Sequence, residues 1–221
     1  MIAAPNRLRR RAQAVIFDCD GTLVDSEPLA RAAWERSLAP YDYAVDEAEY
    51  ATLVGLPYAR VHGFFAERVP GLPPRDAFWE THSQTLFRLI DERLEPFDDA
   101  LDTVLELRAR GVPVAVASSS PRTRLDRTLA RAGLADAFPV SVAGDEIEHG
   151  KPAPDMFLAA AARLGLAAAD CAVIEDSPPG VAAGRAAGMR TVAIARDGDG
   201  AALEDADVVL ARLSADAVLG G

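Results

Sequence analysis

Lysine is almost missing from this chain. Lys151 is its one lysine, and every other fixed cation among the 23 basic side chains is arginine. Cysteine is scarce too, with Cys19 and Cys171 alone, so no disulfide scaffold is indicated and nothing asks for an oxidising compartment. No apolar run approaches the length of a membrane span. Arg7, Arg9, Arg10 and Arg11 invite comparison with a signal peptide, but the apolar run behind them is too short for an h-region and runs straight into Asp18. A basic arm before the first strand is expected instead, in a soluble, cytoplasmic protein. An excess of positive charge is also lacking: 34 acidic against 23 basic residues leave a formal charge of -11. That argues against nucleic acid or an anionic membrane as the main partner, since both demand a basic footprint. An anionic ligand would have to be attracted locally, by a metal, a helix N-terminus or a few placed cations.

Half of the 221 residues are hydrophobic, enough for one large domain or a domain carrying an insertion. The most informative stretch is Val15-Ile16-Phe17-Asp18-Cys19-Asp20-Gly21-Thr22. A short apolar run with a β-branched and aromatic bias reads as a buried strand of a parallel sheet. In an open α/β sheet the functional crevice lies beyond the carboxyl ends of the strands, where Asp18 and Asp20 would sit. Period-two alternation turns Cys19 the other way. Two carboxylates that close repel, so a cation or a proton is needed to make the pair tolerable.

From Glu27 to Phe97 the pattern is helical throughout, punctuated by Pro40, Pro57, Pro70, Pro73, Pro74 and Pro96, and reads as an inserted all-helical unit. Strand and helix then alternate. Strands are expected at Val112–Ala117, Phe138–Ala143, Cys171–Ile174, Thr191–Ile194 and Val208–Leu210, with helices at about Asp99–Arg110, Pro121–Ala132, Pro154–Gly165 and Pro178–Gly188. Such repeats imply a parallel sheet covered on both faces. The glycines Gly180, Gly184 and Gly188 would let the last of these helices pack closely on the sheet. Polar residues gather where strands end: Asp18 and Asp20, then Ser118, then Glu175 and Asp176, with Lys151 in the loop before Pro154. A compact ammonium there suits a phosphate oxygen or a carboxylate pair.

In order, Asp18-Cys19-Asp20-Gly21-Thr22, Ser118, Lys151 and Glu175-Asp176 resemble the four motifs of the haloacid dehalogenase-like hydrolases. The resemblance covers nearly the whole chain and is to the helical-cap branch, which includes β-phosphoglucomutase and phosphoglycolate phosphatase. It implies a doubly wound α/β, Rossmann-like core of residues 1–25 and 98–221, a helical-bundle cap of residues 26–97, and phosphoryl transfer through an aspartyl phosphate with Mg²⁺. Asp18 would be nucleophile and metal ligand. Asp20 would be acid and base through its side chain and a ligand through its carbonyl. Asp176 would complete the protein ligands, with Glu175 ligating or orienting a water. Ser118 and the Ser119 amide would hold the phosphoryl group, and Lys151 would neutralise it and the nucleophile. Ser120 and Ser177, each before a proline, read as helix N-caps. Arg122 is a further candidate for phosphate, and the cap loop around Gly55-Leu56-Pro57 offers Tyr58 and Arg60. His62, His82 and His149 lack metal spacing.

Departures from the family narrow the chemistry. The dehalogenases lack the second aspartate and its glycine, both present here as Asp20-Gly21. The phosphonate hydrolase needs a cap lysine, and this cap has none. The β-phosphoglucomutases carry a histidine where Ala30 stands, and a cap lysine. The expected function is hydrolysis of a small phosphate monoester, with a phosphosugar mutase as alternative and a catalytically idle phosphate-binding or signalling module as the reading from another class. The expected partner is a small phosphorylated metabolite, and the expected state a monomer or weak homodimer.

Overall fold

The computed structural model describes residues 11–54, 56, 58–196, 198 and 200–220. Arg7, Arg9 and Arg10 of the basic arm, and Gly55 and Pro57 of the loop before Tyr58, lie outside the described residues. Residues 26–94 form one compact unit, and the chain on either side of them forms the other.

The helical unit contains α1 (Glu27–Leu38), α2 (Glu47–Ala51), α3 (Tyr58–Ala66) and α4 (Arg75–Arg93). The helical run is thus broken more than its periodicity suggests. Pro40 sits in a short 3₁₀ turn after α1, and Pro74 is the residue from which α4 starts. Trp34 of α1 is the hub of the unit's core. Its ring lies 5.1 Å from Phe65, 5.8 Å from Phe78 and 4.2 Å from His82, centroid to centroid.

The second unit begins with β1 (Ala14–Phe17) and resumes with α5 (Asp98–Ala109), β2 (Val114–Ala117) and α6 (Arg122–Arg131). It continues through β3 (Val140–Val142), α7 (Asp155–Leu164), β4 (Cys171–Glu175) and α8 (Pro178–Ala186), and ends with β5 (Arg190–Ile194), β6 (Val208–Leu210) and α9 (Ala215–Leu219). All five strand pairings are parallel, in the order β3-β2-β1-β4-β5-β6. The chain therefore builds outward from β1 in one direction, then returns to lay β4 on its other side. The reversal falls between β1 and β4, where an open α/β sheet forms its crevice. In the register Phe17 pairs with Ile174, so Asp18 and Glu175 leave the sheet at one level.

Alternation along β1 divides its side chains between two faces. Ala14 and Ile16 join a core with Met156 and Phe157 of α7 and Ala183 of α8. Phe17 meets Phe138 edge to face, with ring centroids 6.0 Å apart. Two differences from the sequence reading have simple causes. The third strand is shorter than Phe138–Ala143 because Pro139 has no N–H for the ladder. The helix α9 is invisible to periodicity because five residues are too few to show a period; its signal is Ser214, whose Oγ accepts from the Ala217 amide.

The close packing expected of α8 is visible at Gly184. A Cβ there would lie 2.8 Å from Thr191 Cγ2 and 3.3 Å from Val173 Cβ. Gly184→Ala is therefore expected to destabilise the protein by about 1–3 kcal/mol through overpacking. Gly63→Ala, in α3 with nothing within 4 Å of the added carbon, is expected to stabilise by roughly 0.5–1 kcal/mol through lost backbone freedom in the unfolded chain. Urea denaturation of the two variants measures both.

Candidate active site

The Asp18 amide donates to the Ile174 carbonyl at 2.9 Å, which carries the β1–β4 pairing one residue past the strand and sets Asp18 beside Glu175. Between the two carboxylates lies Lys151. Its Nζ donates to Asp18 Oδ1 and stands 2.5 Å from Glu175 Oε1. All three side chains are at least nine-tenths buried. Burial works against the charged lysine, but Asp18 and Glu175 outweigh it and hold the ammonium well above its ordinary range. Burial also pushes the Asp18 carboxyl well up; Lys151 opposes that push, while Glu175 and Asp176 add to it.

Glu175 is the last residue of β4 and fully buried, rather than part of the loop that follows. Its Oε2 accepts from the amides of Asp176 and Ser177 and from Ser177 Oγ, each at 2.9 Å. Ser177 Oγ in turn accepts from the Gly180 amide at 3.2 Å, so this serine is the N-cap of α8 and also ties Glu175 to the helix start. Gly180 makes room for the carboxylate: a Cβ there would stand 1.8 Å from Oε1.

Asp176 is approached from the opposite side. Thr22 Oγ1 donates to its Oδ1 at 3.3 Å, and a Cβ on Gly21 would fall 2.0 Å from its Oδ2. Gly21 also has φ +80°, a left-handed conformation that favours glycine. Burial, then Glu175, push the Asp176 carboxyl up to about 7. One oxygen each from Asp18, Glu175 and Asp176 lie within 4.8 Å of one another. Two buried carboxylates and a half-buried third against one ammonium leave negative charge uncompensated, and oxygens this close together suit a hard divalent cation. With Glu175 engaged by two amides, a hydroxyl and Lys151, Asp18 and Asp176 are the pair with capacity for a cation.

Asp20 faces a second group of residues. Ser118, buried at the end of β2, donates from Oγ to Asp20 Oδ2 at 3.4 Å and accepts the Ser120 amide at 3.0 Å. Ser120 Oγ donates to the same Oδ2 at 2.9 Å. The N-cap reading of Ser120 is thus corrected: Pro121 takes the cap position of α6, which leaves the hydroxyl to turn to Asp20. Ser119 is exposed, and its carbonyl lies where a Cβ on Gly144 would come within 2.2 Å. Arg124, in the first turn of α6, donates from Nη2 to Asp20 Oδ1 at 2.8 Å. Sequence reasoning overlooks Arg124. The available signal is its position, three residues after Pro121 on a helix that starts at the strand ends.

Three further candidates have local partners of their own. Arg122, the further phosphate candidate, donates from its guanidinium to Glu146, Asp126 and the Ser141 hydroxyl and carbonyl. Tyr58 donates from its hydroxyl to the Arg75 carbonyl at 3.1 Å, and its ring packs edge-on to Trp79 within the helical unit. Arg60 is exposed on α3. The histidines pair separately: His62 with the Pro73 carbonyl, His82 with Ser37 and His149 with Asp155. Cys19 is buried, with its thiol pushed well up by burial and then by Asp20 and Asp18, which suits packing rather than nucleophilic chemistry.

The haloacid dehalogenase-like hydrolase family matches residues 12–188. The fructose-1-phosphate phosphatase YqaB of Escherichia coli (strain K12) is 34% identical over 182 residues, covering 82% of this chain and 96% of that protein. The bifunctional riboflavin kinase/FMN phosphatase of Arabidopsis thaliana is 34% identical over 190 residues, 86% of this chain; the chain spans 50% of that relative's length. A solved HAD family hydrolase from Deinococcus radiodurans R1, with bound phosphate and sodium, shares the fold with a TM-score of 0.73 and 33% identity, covering 90% of this chain and 91% of that one. Among the described residues, no helix is long and apolar enough to cross a membrane.

The raised Asp176 carboxyl has a consequence for stability. Its folded value, about 7, lies above the ordinary 3.8, so the folded protein binds more protons than the unfolded one between those limits. Stability from this group is full at low pH and is lost as pH rises through that window. In metal-free protein, the melting temperature of wild type relative to Asp176→Asn is expected to fall as pH rises from about 4 to above 7. Saturating Mg²⁺ is expected to raise wild type more than the variant. Thermal melts in chelator and in Mg²⁺ measure both.

Proposed function

Because this chain belongs to the haloacid dehalogenase-like hydrolases, we propose that it is a Mg²⁺-dependent phosphatase that hydrolyses a small phosphate monoester, such as a sugar phosphate or a phosphoglycolate-like ester, through an aspartyl phosphate. The observation that carries this reading is Lys151 held between Asp18 and Glu175 at the β1–β4 switch point. It supplies a nucleophile, a cation beside it, and a second carboxylate that fixes the cation in place.

Asp18 attacks phosphorus, and the bond from phosphorus to the ester oxygen breaks. That oxygen takes the electron pair and receives a proton from Asp20. Asp20 then accepts a proton from water as the water attacks the aspartyl phosphate. The bond from phosphorus to the Asp18 oxygen breaks, which restores both carboxyl groups and releases inorganic phosphate. Lys151 offsets charge on Asp18 and on the phosphoryl oxygens, while Ser118 and the Ser119 amide hold the phosphoryl group. Asp18, Asp176 and the Asp20 carbonyl would hold Mg²⁺, with Glu175 orienting the lysine and the α8 start. The ion, when bound, supplies charge neutralisation and alignment of phosphate with nucleophile.

Hydrolysis is favoured over the mutase because Ala30 and the absence of lysine from residues 26–94 remove donors that would retain a bisphosphate intermediate. A small phosphorylated sugar is supported by the relative named as a fructose-1-phosphate phosphatase. The two buried free cysteines are in keeping with a cytoplasmic enzyme.

Phosphate release from a panel of sugar phosphates, phosphoglycolate and nucleoside monophosphates tests the proposal. Wild type is expected to turn over at least one class with Mg²⁺ and to lose activity in chelator. Asp18→Asn is expected to be slower by at least about a thousandfold. No turnover of any ester, or turnover indifferent to chelator, would overturn it.

A further inference from the structure

Asp20 is held by both oxygens. Ser120 Oγ, at 2.9 Å, and Ser118 Oγ, at 3.4 Å, donate to Oδ2. Arg124 Nη2 donates to Oδ1 at 2.8 Å. The serines belong to the segment that ends β2, whereas the arginine comes from the first turn of α6, where its own amide donates to the Pro121 carbonyl at 3.0 Å. The two arginines of that turn are sorted by position. Arg122 faces Glu146 and Asp126 and pins the helix to the loop after β3, while Arg124 is turned to Asp20. Arg124 Nε is buried and has no hydrogen-bond partner among the described residues. A planar guanidinium kept there with one nitrogen unanswered is a costly way to fill space, and its directed contact is to Asp20.

Resting on the phosphatase reading above, we propose that Arg124 is the positioning residue for Asp20 and fixes where its carboxyl stands for both proton transfers. A carboxylate on a turn has two soft torsions, and its usefulness in proton transfer depends on hydrogen-bond reach to the ester oxygen first and the water afterwards. The serines grip one oxygen only, which leaves the carboxylate able to pivot about it. The guanidinium on the other oxygen removes that freedom. Such geometry matters steeply, because a misplacement of about 1 Å can cost about a hundredfold in rate.

The two proton transfers are separable by leaving group. An alkyl ester needs Asp20 both for departure of the alkoxide and for attack of water. An aryl ester such as p-nitrophenyl phosphate needs it only for the second step, since the phenolate leaves without a proton. In Arg124→Gln, turnover of an alkyl phosphate is expected to fall by about tenfold to a hundredfold with KM and inhibition by inorganic phosphate unchanged. With p-nitrophenyl phosphate the same variant is expected to show a stoichiometric burst of p-nitrophenol before slow turnover, as the aspartyl phosphate accumulates. Arg124→Lys, which restores a cation without the planar fork, is expected to recover part of the alkyl-ester rate. Equal loss on both esters without a burst, together with weakened phosphate inhibition, would overturn the proposal by showing that Arg124 holds the phosphoryl group. Unchanged kinetics on both esters in a folded variant would overturn it too. A crystal structure of Arg124→Gln tests the same point without turnover: Asp20 spread over more than one rotamer supports the proposal, and an unchanged single rotamer contradicts it. Wild type inactive on every ester would sink the phosphatase reading and leave the crystal structure to decide the positioning claim.

Discussion

The buried contact of Lys151 with Asp18 and Glu175 is the constraint on which this core depends. Desolvating three charged groups is costly, and the attraction between them offsets that cost only when the remaining donors and acceptors are also satisfied. The fold meets this demand through its topology. The strand order brings the ends of β1 and β4 side by side, the loop before α7 brings in the lysine, and the turn before α8 supplies two amides and a hydroxyl to Glu175. The turn into α8 and the ammonium thus share one carboxylate between them. Breaking a buried pair on one side costs about 3–5 kcal/mol in general, so the residues that hold this chemistry also hold the sheet's carboxyl edge together.

Two glycines state the same constraint in terms of space. Gly21 and Gly180 both stand where a Cβ would collide with a carboxylate of the cluster, Asp176 in one case and Glu175 in the other. Backbone and carboxylate approach more closely here than any side chain permits. At Gly21 and Gly180 the acidic cluster is therefore bounded by main chain, and the oxygens there have little room to relax away. Burial and the neighbouring carboxylates accordingly push the Asp18 and Asp176 carboxyls up.

Much of this is legible in the sequence because strand ends are. A parallel strand places the residue after it at a known edge, so Asp18, Ser118, Glu175 and Asp176 can be assigned to one crevice from alternation of strand and helix alone, and Lys151 stands out by composition. Helix faces are harder. Arg122 and Arg124 differ by two positions and point to different partners, and nothing in residue type tells which one meets Asp20. Ser120 misleads for a related reason: a serine before a proline is a good cap by statistics, but here the proline itself occupies the cap position and the hydroxyl finds a carboxylate. Tyr58 shows a third limit, since an aromatic near a loop can serve either a ligand or a core, and here its hydroxyl is spent on a main-chain carbonyl of the same helical unit.

The seclusion of Lys151 has a second consequence. It is the chain's one ε-amine, and it is nine-tenths buried beneath two carboxylates that keep it charged. Every other fixed cation is an arginine, which keeps its proton and is a poor nucleophile at neutral pH. Reactions that mark proteins at lysine, such as acylation, methylation and glycation by reducing sugars, therefore meet no side-chain amine on the outside of this molecule. By this distribution of nitrogen, its side chains offer almost no exposed amine for Schiff-base formation.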